Sequence, residues 1–205
     1  MRVRFGQRIE RSFFERYTPR VAEDLLGNLL VRVVEGQRVS GLIVETEAYR
    51  GARDPASHAH RGRTKRNEVM FGEGGHAYVY LSYGTNWCLN LTTEPIQRPG
   101  AVLVRALEPV EGIPFMMRRR KRDSEEGLTD GPGKLTQAMG IDRTLNGEDV
   151  ANSRRLFLEG SEGPARVGRS TRVGIRAGTR FRWRFYVDGS AFVSRGKPSF
   201  PAQNP

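Results

Sequence analysis

The stretch from Gly41 to Gly51 (GLIVETEAYRG) constrains this chain more than any other. Leu42, Ile43, Val44 and Thr46 are apolar or β-branched, so the segment starts as a strand. Strand side chains alternate between two faces. Ile43, Glu45, Glu47 and Tyr49 therefore share one face, and Leu42, Val44, Thr46 and Ala48 share the other. Two carboxylates beside an aromatic ring are unusual on a hydrophobic strand. An unpaired buried charge is costly, so such carboxylates are either salt-bridged or used chemically. Arg50-Gly51 ends the strand and leaves Glu47 and Tyr49 where a sheet opens into a loop, a common place for chemistry.

At 205 residues the chain makes one domain, or two small ones, and needs no disulfide or metal staple to hold a core. A net charge of +11 points to a polyanionic partner: DNA, RNA or an acidic membrane surface. No apolar run is long enough to span a bilayer, and Arg2, Arg4, Arg8, Glu10 and Arg11 interrupt any signal-peptide core. The single cysteine, Cys88, excludes an internal disulfide, argues for a reducing compartment, and reads as a small core residue. No Cys/His cluster has zinc-ligand spacing.

Thr18-Pro19 reads as a helix start, a hydroxyl N-cap followed by proline, with Val21, Ala22, Leu25 and Leu26 turned inward and Gly27 as the stop. Residues 29–34 form a strand, Glu35-Gly36 turns, and residues 38–49 return as its hairpin partner. A charged loop over 51–66 carries Asp54, His58 and His60; a loop this long is functional or disordered. Residues 76–92 form a second hairpin, with Tyr78 and Tyr80 on one face and Gly84 permitting the reversal. Tyr83 lies at or beside its tip. It either folds back onto the sheet or projects into solvent, where an aromatic tip on a basic protein fits a wedge between base pairs.

Residues 101–106 form a buried strand interrupted by Arg105, which needs a partner; a carboxylate on a neighbouring strand is the natural one. A helix is expected over 111–122, its basic run 118–122 reading as a solvated face. Residues 131–135 (GPGKL) precede a short helix at 136–139, and their amides with Lys134 could hold a phosphate, although the P-loop pattern is absent. Short strands follow at 156–158, 165–167 and 181–187, with Asp188-Gly189 turning into 191–194. The tail at 197–205 is expected to fray.

Taken together, these residues resemble the alkyladenine (3-methyladenine) DNA glycosylases, monofunctional base-excision enzymes. The resemblance runs from about residue 13 to about residue 195. It rests on DLLGNLLV (24–31), VETEAY (44–49), DPASH (54–58), Arg66-Asn67 with Met70-Phe71, YVY (78–80) with Tyr83-Gly84, CLN (88–90), VRALEP (104–109), GPGKL (131–135) and RWRFYV (182–187). Several segments in the right order are far more specific than any one of them. The resemblance implies an α+β fold: a single mixed domain around a curved antiparallel sheet with a protruding β-hairpin. The domain would cover residues 1–196.

The implied reaction cleaves the N-glycosidic bond of a damaged purine in double-stranded DNA. A duplex hides that bond, so the nucleotide must flip out. By resemblance, Tyr83 fills the vacated stack. Tyr49, His58 and Tyr80 wall the base pocket, the backbone amide of His58 donates to the base edge, and Asn90 crowds the position of guanine's 2-amino group. Glu47 is the general base for a water attacking C1′, and Arg105 helps hold that water. Lys134 is a candidate phosphate contact. No metal, no cofactor and no lyase lysine are implied, nor a membrane partner. A monomer inside the cell is expected, at the nucleoid of a bacterium or in the nucleus of a eukaryote. Thr85 and Asn86 stand beside the wedge where bulkier residues are expected in some relatives. Glu45 has no implied role beyond a structural one.

Two other classes remain. A non-catalytic nucleic-acid-binding protein would account for the charge, but would be marked by loss of the glutamate or the aromatics. A metal-dependent nuclease would draw on Glu45, Glu47, Asp54 and His58, and needs convergent carboxylates that the sequence does not supply.

Overall fold

A computed structural model describes residues 6–161, 163–164 and 166–196. The elements run α1 (Arg11–Phe14), α2 (Thr18–Asp24), β1 (Leu29–Val34), β2 (Gln37–Tyr49), β3 (Ala77–Ser82), β4 (Asn86–Thr93), β5 (Gly100–Glu111), α3 (Ile113–Arg120), α4 (Pro132–Met139), β6 (Leu156–Glu159), β7 (Val167–Ser170) and β8 (Arg184–Val187). The main path of the sheet is β3-β4-β5-β2-β1-β6, every neighbour antiparallel. Strand β2 organises it. Its first half pairs with β1 and nearly its whole length with β5, while Glu45, Thr46 and Glu47 also face β8. The β2–β5 register shifts near Ser40 and twice around Glu45. Such irregularities bend a strand and increase its twist, and here they help curl the sheet.

One face of the curl is the core, where Leu25, Ile43, Val104, Leu107, Met116, Leu135 and Leu145 pack under α2, α3 and α4. The fold is the expected α+β, a curved antiparallel sheet with a projecting hairpin. No helix among the described residues is long and apolar enough to cross a membrane.

Several local expectations need correction. Thr18 is the first helical residue rather than the cap, and its hydroxyl donates to Glu94 Oε1 at 2.9 Å instead of closing the helix. Helix α2 stops at Asp24, three residues before Gly27. Helix α3 starts at Ile113, because Glu111 still belongs to β5. Helix α4 starts at Pro132, so most of the glycine-rich run lies inside the helix. Strand β7 begins at Val167, where the 165–167 strand was expected to end. Strand β8 begins only at Arg184, and 191–194 is not a strand. The Ser194 amide instead donates to Glu45 Oε2. The 197–205 tail lies outside the described residues.

Candidate active site

A cleft of about 650 Å³ opens between the end of β2 and the β3–β4 hairpin. The β2 end supplies Tyr49, and the loop after it supplies Ala56 and His58. Hairpin β3–β4 supplies Tyr78, Tyr80, Tyr83 and Asn90; β5 supplies Leu103 and Arg105; the loop before β8 supplies residues 173–177. The aromatic wall is packed ring against ring. The His58 and Tyr80 rings meet edge-to-face at 4.5 Å, and Tyr78 lies 5.3 Å from Tyr80. His58 Nδ1 is 2.9 Å from the Tyr78 hydroxyl. Burial pushes the Tyr78 and Tyr80 phenols up, and burial together with the Arg66 guanidinium holds His58 below its ordinary range.

Glu47 is fully buried and stands behind this wall rather than on it. Its Oε1 accepts the Val173 backbone N–H at 2.7 Å, and its Oε2 accepts the Tyr49 hydroxyl at 2.7 Å and Arg105 Nη1 at 3.4 Å. Burial, reinforced by the Glu47 carboxylate, raises the Tyr49 phenol well above its usual range, so the phenol is the donor. Arg105 has its expected carboxylate partners on a neighbouring strand. Its Nε donates to Glu45 Oε1 at 2.9 Å, so it bridges both glutamates of β2.

Glu45 is equally buried and is the most heavily bonded side chain of the site. Arg184 Nε donates to Oε1 at 2.6 Å, and the amide and hydroxyl of Ser194 donate to Oε2 and Oε1. Burial alone would raise its carboxyl; Arg105, Arg184 and the bonds from Arg184 and Ser194 outweigh that and hold it below the usual range. Its carboxylate also accepts Arg105 Nε at 2.9 Å and so fastens that guanidinium from behind.

Tyr83 projects from the hairpin tip, 94% exposed, with φ +49°, and Gly84 follows at φ +72°. Two positive φ values in succession make the tight turn that matches strand twist. The tip is braced from behind. A Cβ on Gly133 would lie 2.7 Å from Asn86, so the glycine lets α4 close on the hairpin. The glycine-rich run thus has a packing role. Lys134 Nζ sits 2.7 Å from Asp130 Oδ1, outside the cleft lining. Asn90 is buried at the cleft and donates from Nδ2 to the Tyr78 carbonyl at 3.1 Å. Cys88 is buried, on β4, and lines the same cleft.

The site also draws on groups that sequence reasoning missed. Val173, Ser194 and the 173–177 wall come from late, irregular segments that carry no motif of their own, and Arg184 stands at the start of β8, within a matched segment that assigned it no role. Only the 182–187 segment was singled out. Among the described residues no three His, Cys, Asp or Glu side chains converge as a metal-ion site. Asp54, which the nuclease reading would need, is bound up with Arg172.

A curled antiparallel sheet, an aromatic-walled cleft beside a buried carboxylate, and an exposed tyrosine on a hairpin tip belong together in a DNA glycosylase. The chain belongs to the methylpurine-DNA glycosylase family, whose sequence model matches residues 12–191. It is similar to proteins provisionally named 3-methyladenine DNA glycosylase in three organisms. The relative from Carboxydothermus hydrogenoformans is 48% identical over 189 residues, covering 91% of this chain and 98% of that protein. The one from Chlorobium luteolum is 46% identical over 194 residues, covering 94% and 99%. The one from Methanocella arvoryzae is 48% identical over 195 residues, covering 93% and 97%.

Proposed function

We propose that this protein hydrolyses the N-glycosidic bond of alkylated or deaminated purines in duplex DNA, among them 3-methyladenine, 7-methylguanine, hypoxanthine and ethenoadenine. Tyr83 enters the stack, and the flipped base rests between Tyr49, His58 and Tyr80. Aromatic walls suit alkylated purines because their positive charge adds a cation–π attraction. Glu47 activates the water that attacks C1′ and stabilises the cationic sugar, with Arg105 holding Glu47 and the water in place. Asn90 discriminates against a 2-amino group. The basic surface, Lys134 included, contacts phosphates. The reaction as proposed uses water and requires no Schiff-base lysine, so the enzyme is monofunctional in this reading.

The observation that carries this reading is the Glu47 carboxylate, held by Val173, Tyr49 and Arg105 directly behind a cleft of about 650 Å³. That volume suits one flipped nucleotide. The test is single-turnover base release from duplexes that each carry one defined lesion, with chelator present. Wild type should release the base without cutting the strand. Glu47→Gln should slow release at least about a hundredfold, since general-base catalysis is typically worth 10²–10⁴. Its binding to lesion duplex should survive. A wild-type protein that binds lesion duplex and releases no purine is a binding protein, and the reading is then wrong.

A further inference from the structure

We propose that Asp54 and Arg172 form a positioning pair that locks the two loops of the cleft and thereby sets the Glu47 carboxylate; this rests on the glycosylase reading of Glu47. Both side chains are fully buried. Arg172 Nη1 donates to Asp54 Oδ2 at 2.5 Å and Nη2 to Asp54 Oδ1 at 2.7 Å, a two-point fork across 118 residues of chain. Each partner then fastens a loop. Asp54 accepts the backbone amides of Arg50 and Ala56, both at 3.1 Å, which shapes the turn leading to His58. Arg172 donates to the carbonyls of Ala48 on β2 and of Gly178 in its own loop. Its guanidinium lies 4.7 Å from the Tyr49 ring and 5.4 Å from the Trp183 ring. The next residue is Val173, whose amide donates to Glu47. Gly178 closes the arrangement. At φ +66°, a Cβ there would meet both Arg172 Nη2 and Asp54 Oδ1 at 2.9 Å.

A buried ion pair is weak support for stability, because replacing both partners with neutral groups is often harmless to the fold. Arg172 even leaves its Nε without a partner. What the pair supplies is placement. It ties β2, the 50–58 loop and the 172–178 loop to one fork, and the Val173 amide belongs to the residue that follows Arg172. Arginine suits this role because its planar guanidinium can hold two carboxylate oxygens at once.

The experiment compares Asp54→Asn, Arg172→Met and the double variant with wild type. Three readings are taken: Tm, lesion-duplex Kd against single-turnover rate, and the NMR proton shift of the Val173 amide. Each single variant should lower Tm, because it leaves a buried charge or its partner unmatched. The double variant should recover at least half of that Tm loss. Its release rate should nevertheless stay tenfold or more below wild type, with Kd within about threefold. Its Val173 proton should move upfield as the bond to Glu47 weakens. Arg172→Lys keeps the charge but cannot span both Asp54 oxygens, and should fall between. A release rate that recovers together with Tm makes the pair a fold strut and overturns the proposal. So does a Val173 shift unchanged in the folded double variant, whatever the activity. A loss of affinity as large as the loss of rate also overturns it, since the pair would then shape the base walls rather than Glu47. An inert wild type sinks the functional reading instead, and the amide shift still decides whether the pair holds Val173.

Discussion

The Tyr49 hydroxyl donates to the Glu47 carboxylate across 2.7 Å, so the proposed stacking wall and the proposed base are one hydrogen-bonded unit. The two side chains sit two residues apart on β2 and share a face. Tyr49→Phe separates the two roles. The ring remains for stacking and for the Arg172 contact at 4.7 Å. The buried Glu47 oxygen loses a donor, and hydrogen bonds to charged groups contribute about 1.5–3 kcal/mol. The variant should therefore unfold more easily by roughly that amount in denaturant titrations, while lesion-duplex Kd stays within about threefold. Unchanged stability would show that the bond does not contribute in solution.

Glu45→Gln tests the other carboxylate of the strand. Arg105 and Arg184, both nearly buried, share its charge. Removing one partner of a buried pair costs about 3–5 kcal/mol, because it leaves charge uncompensated. The loss should appear in chemical denaturation. Base release should fall less than in Glu47→Gln, since Glu45 reaches the cleft only through Arg105. The pH dependence has a definite sign. The folded carboxyl sits below its ordinary value of 4.5, so its stabilisation is present above that value and fades as pH falls through the lowered one. In Glu45→Gln that acid-limb slope should flatten.

His58 gives the opposite reagent for the same logic. Burial and Arg66 depress its folded value below the ordinary 6.5. The unfolded chain then binds more protons than the folded one just below pH 6.5, so stability falls as pH drops through that window and is level above it. The loss of Tm between pH 7.5 and 5.5 should be smaller in His58→Gln than in wild type. NMR titration of the imidazole should give a midpoint under 6.5. A midpoint at or above that value would contradict a neutral His58 in the wall.

How much of this was legible in the sequence follows from how far each interaction reaches. Alternation placed Glu45, Glu47 and Tyr49 on one face, but it put Ile43 there too, and the register shift between Ile43 and Glu45 turns Ile43 into the core instead; β1 was found at its observed bounds, 29–34. A strand arginine without a local partner pointed from Arg105 to a neighbouring carboxylate, and two are there. Gly84 located the reversal, and with it Tyr83. What stayed hidden are contacts with no periodic signature. Asp54 read only as part of a charged loop, yet its partner lies 118 residues on. Val173 contributes only its backbone amide, which any residue but proline carries. Thr18-Pro19 looked like a cap because the local pattern favours one, but tertiary contact with Glu94 took the hydroxyl. Glycines in 131–135 read as anion-binding, whereas Gly133 is small so that α4 can meet Asn86.

Asn90 should govern selectivity through its volume. Its side chain is buried at the cleft and pinned by the Tyr78 carbonyl at 3.1 Å, so it yields little to an intruding group. Asn90→Ser removes the amide and opens that space. Release of guanine-type lesions relative to hypoxanthine should rise about tenfold, the scale of a modest steric change in a binding site. An unaltered ratio would take Asn90 out of discrimination.

Tyr83 carries the last prediction, and its exposure is the reason. A ring left 94% in solvent is unfavourable for the free protein unless a partner covers it, and the turn at φ +49° and +72° keeps it aimed outward. In a duplex the flipped nucleotide leaves a gap, and unstacking costs a few kcal/mol. Tyr83→Ser shortens the tip to a hydroxymethyl group that cannot fill the gap. Excision from a well-paired duplex should drop roughly a hundredfold, a few kcal/mol expressed as rate. The drop should be much smaller when the lesion faces an abasic or mismatched position, because that opening is already easy. Thermal stability should stay at the wild-type level, since the ring touches no core. Equal losses in paired and mismatched duplexes would mean that Tyr83 contacts DNA without acting as the wedge.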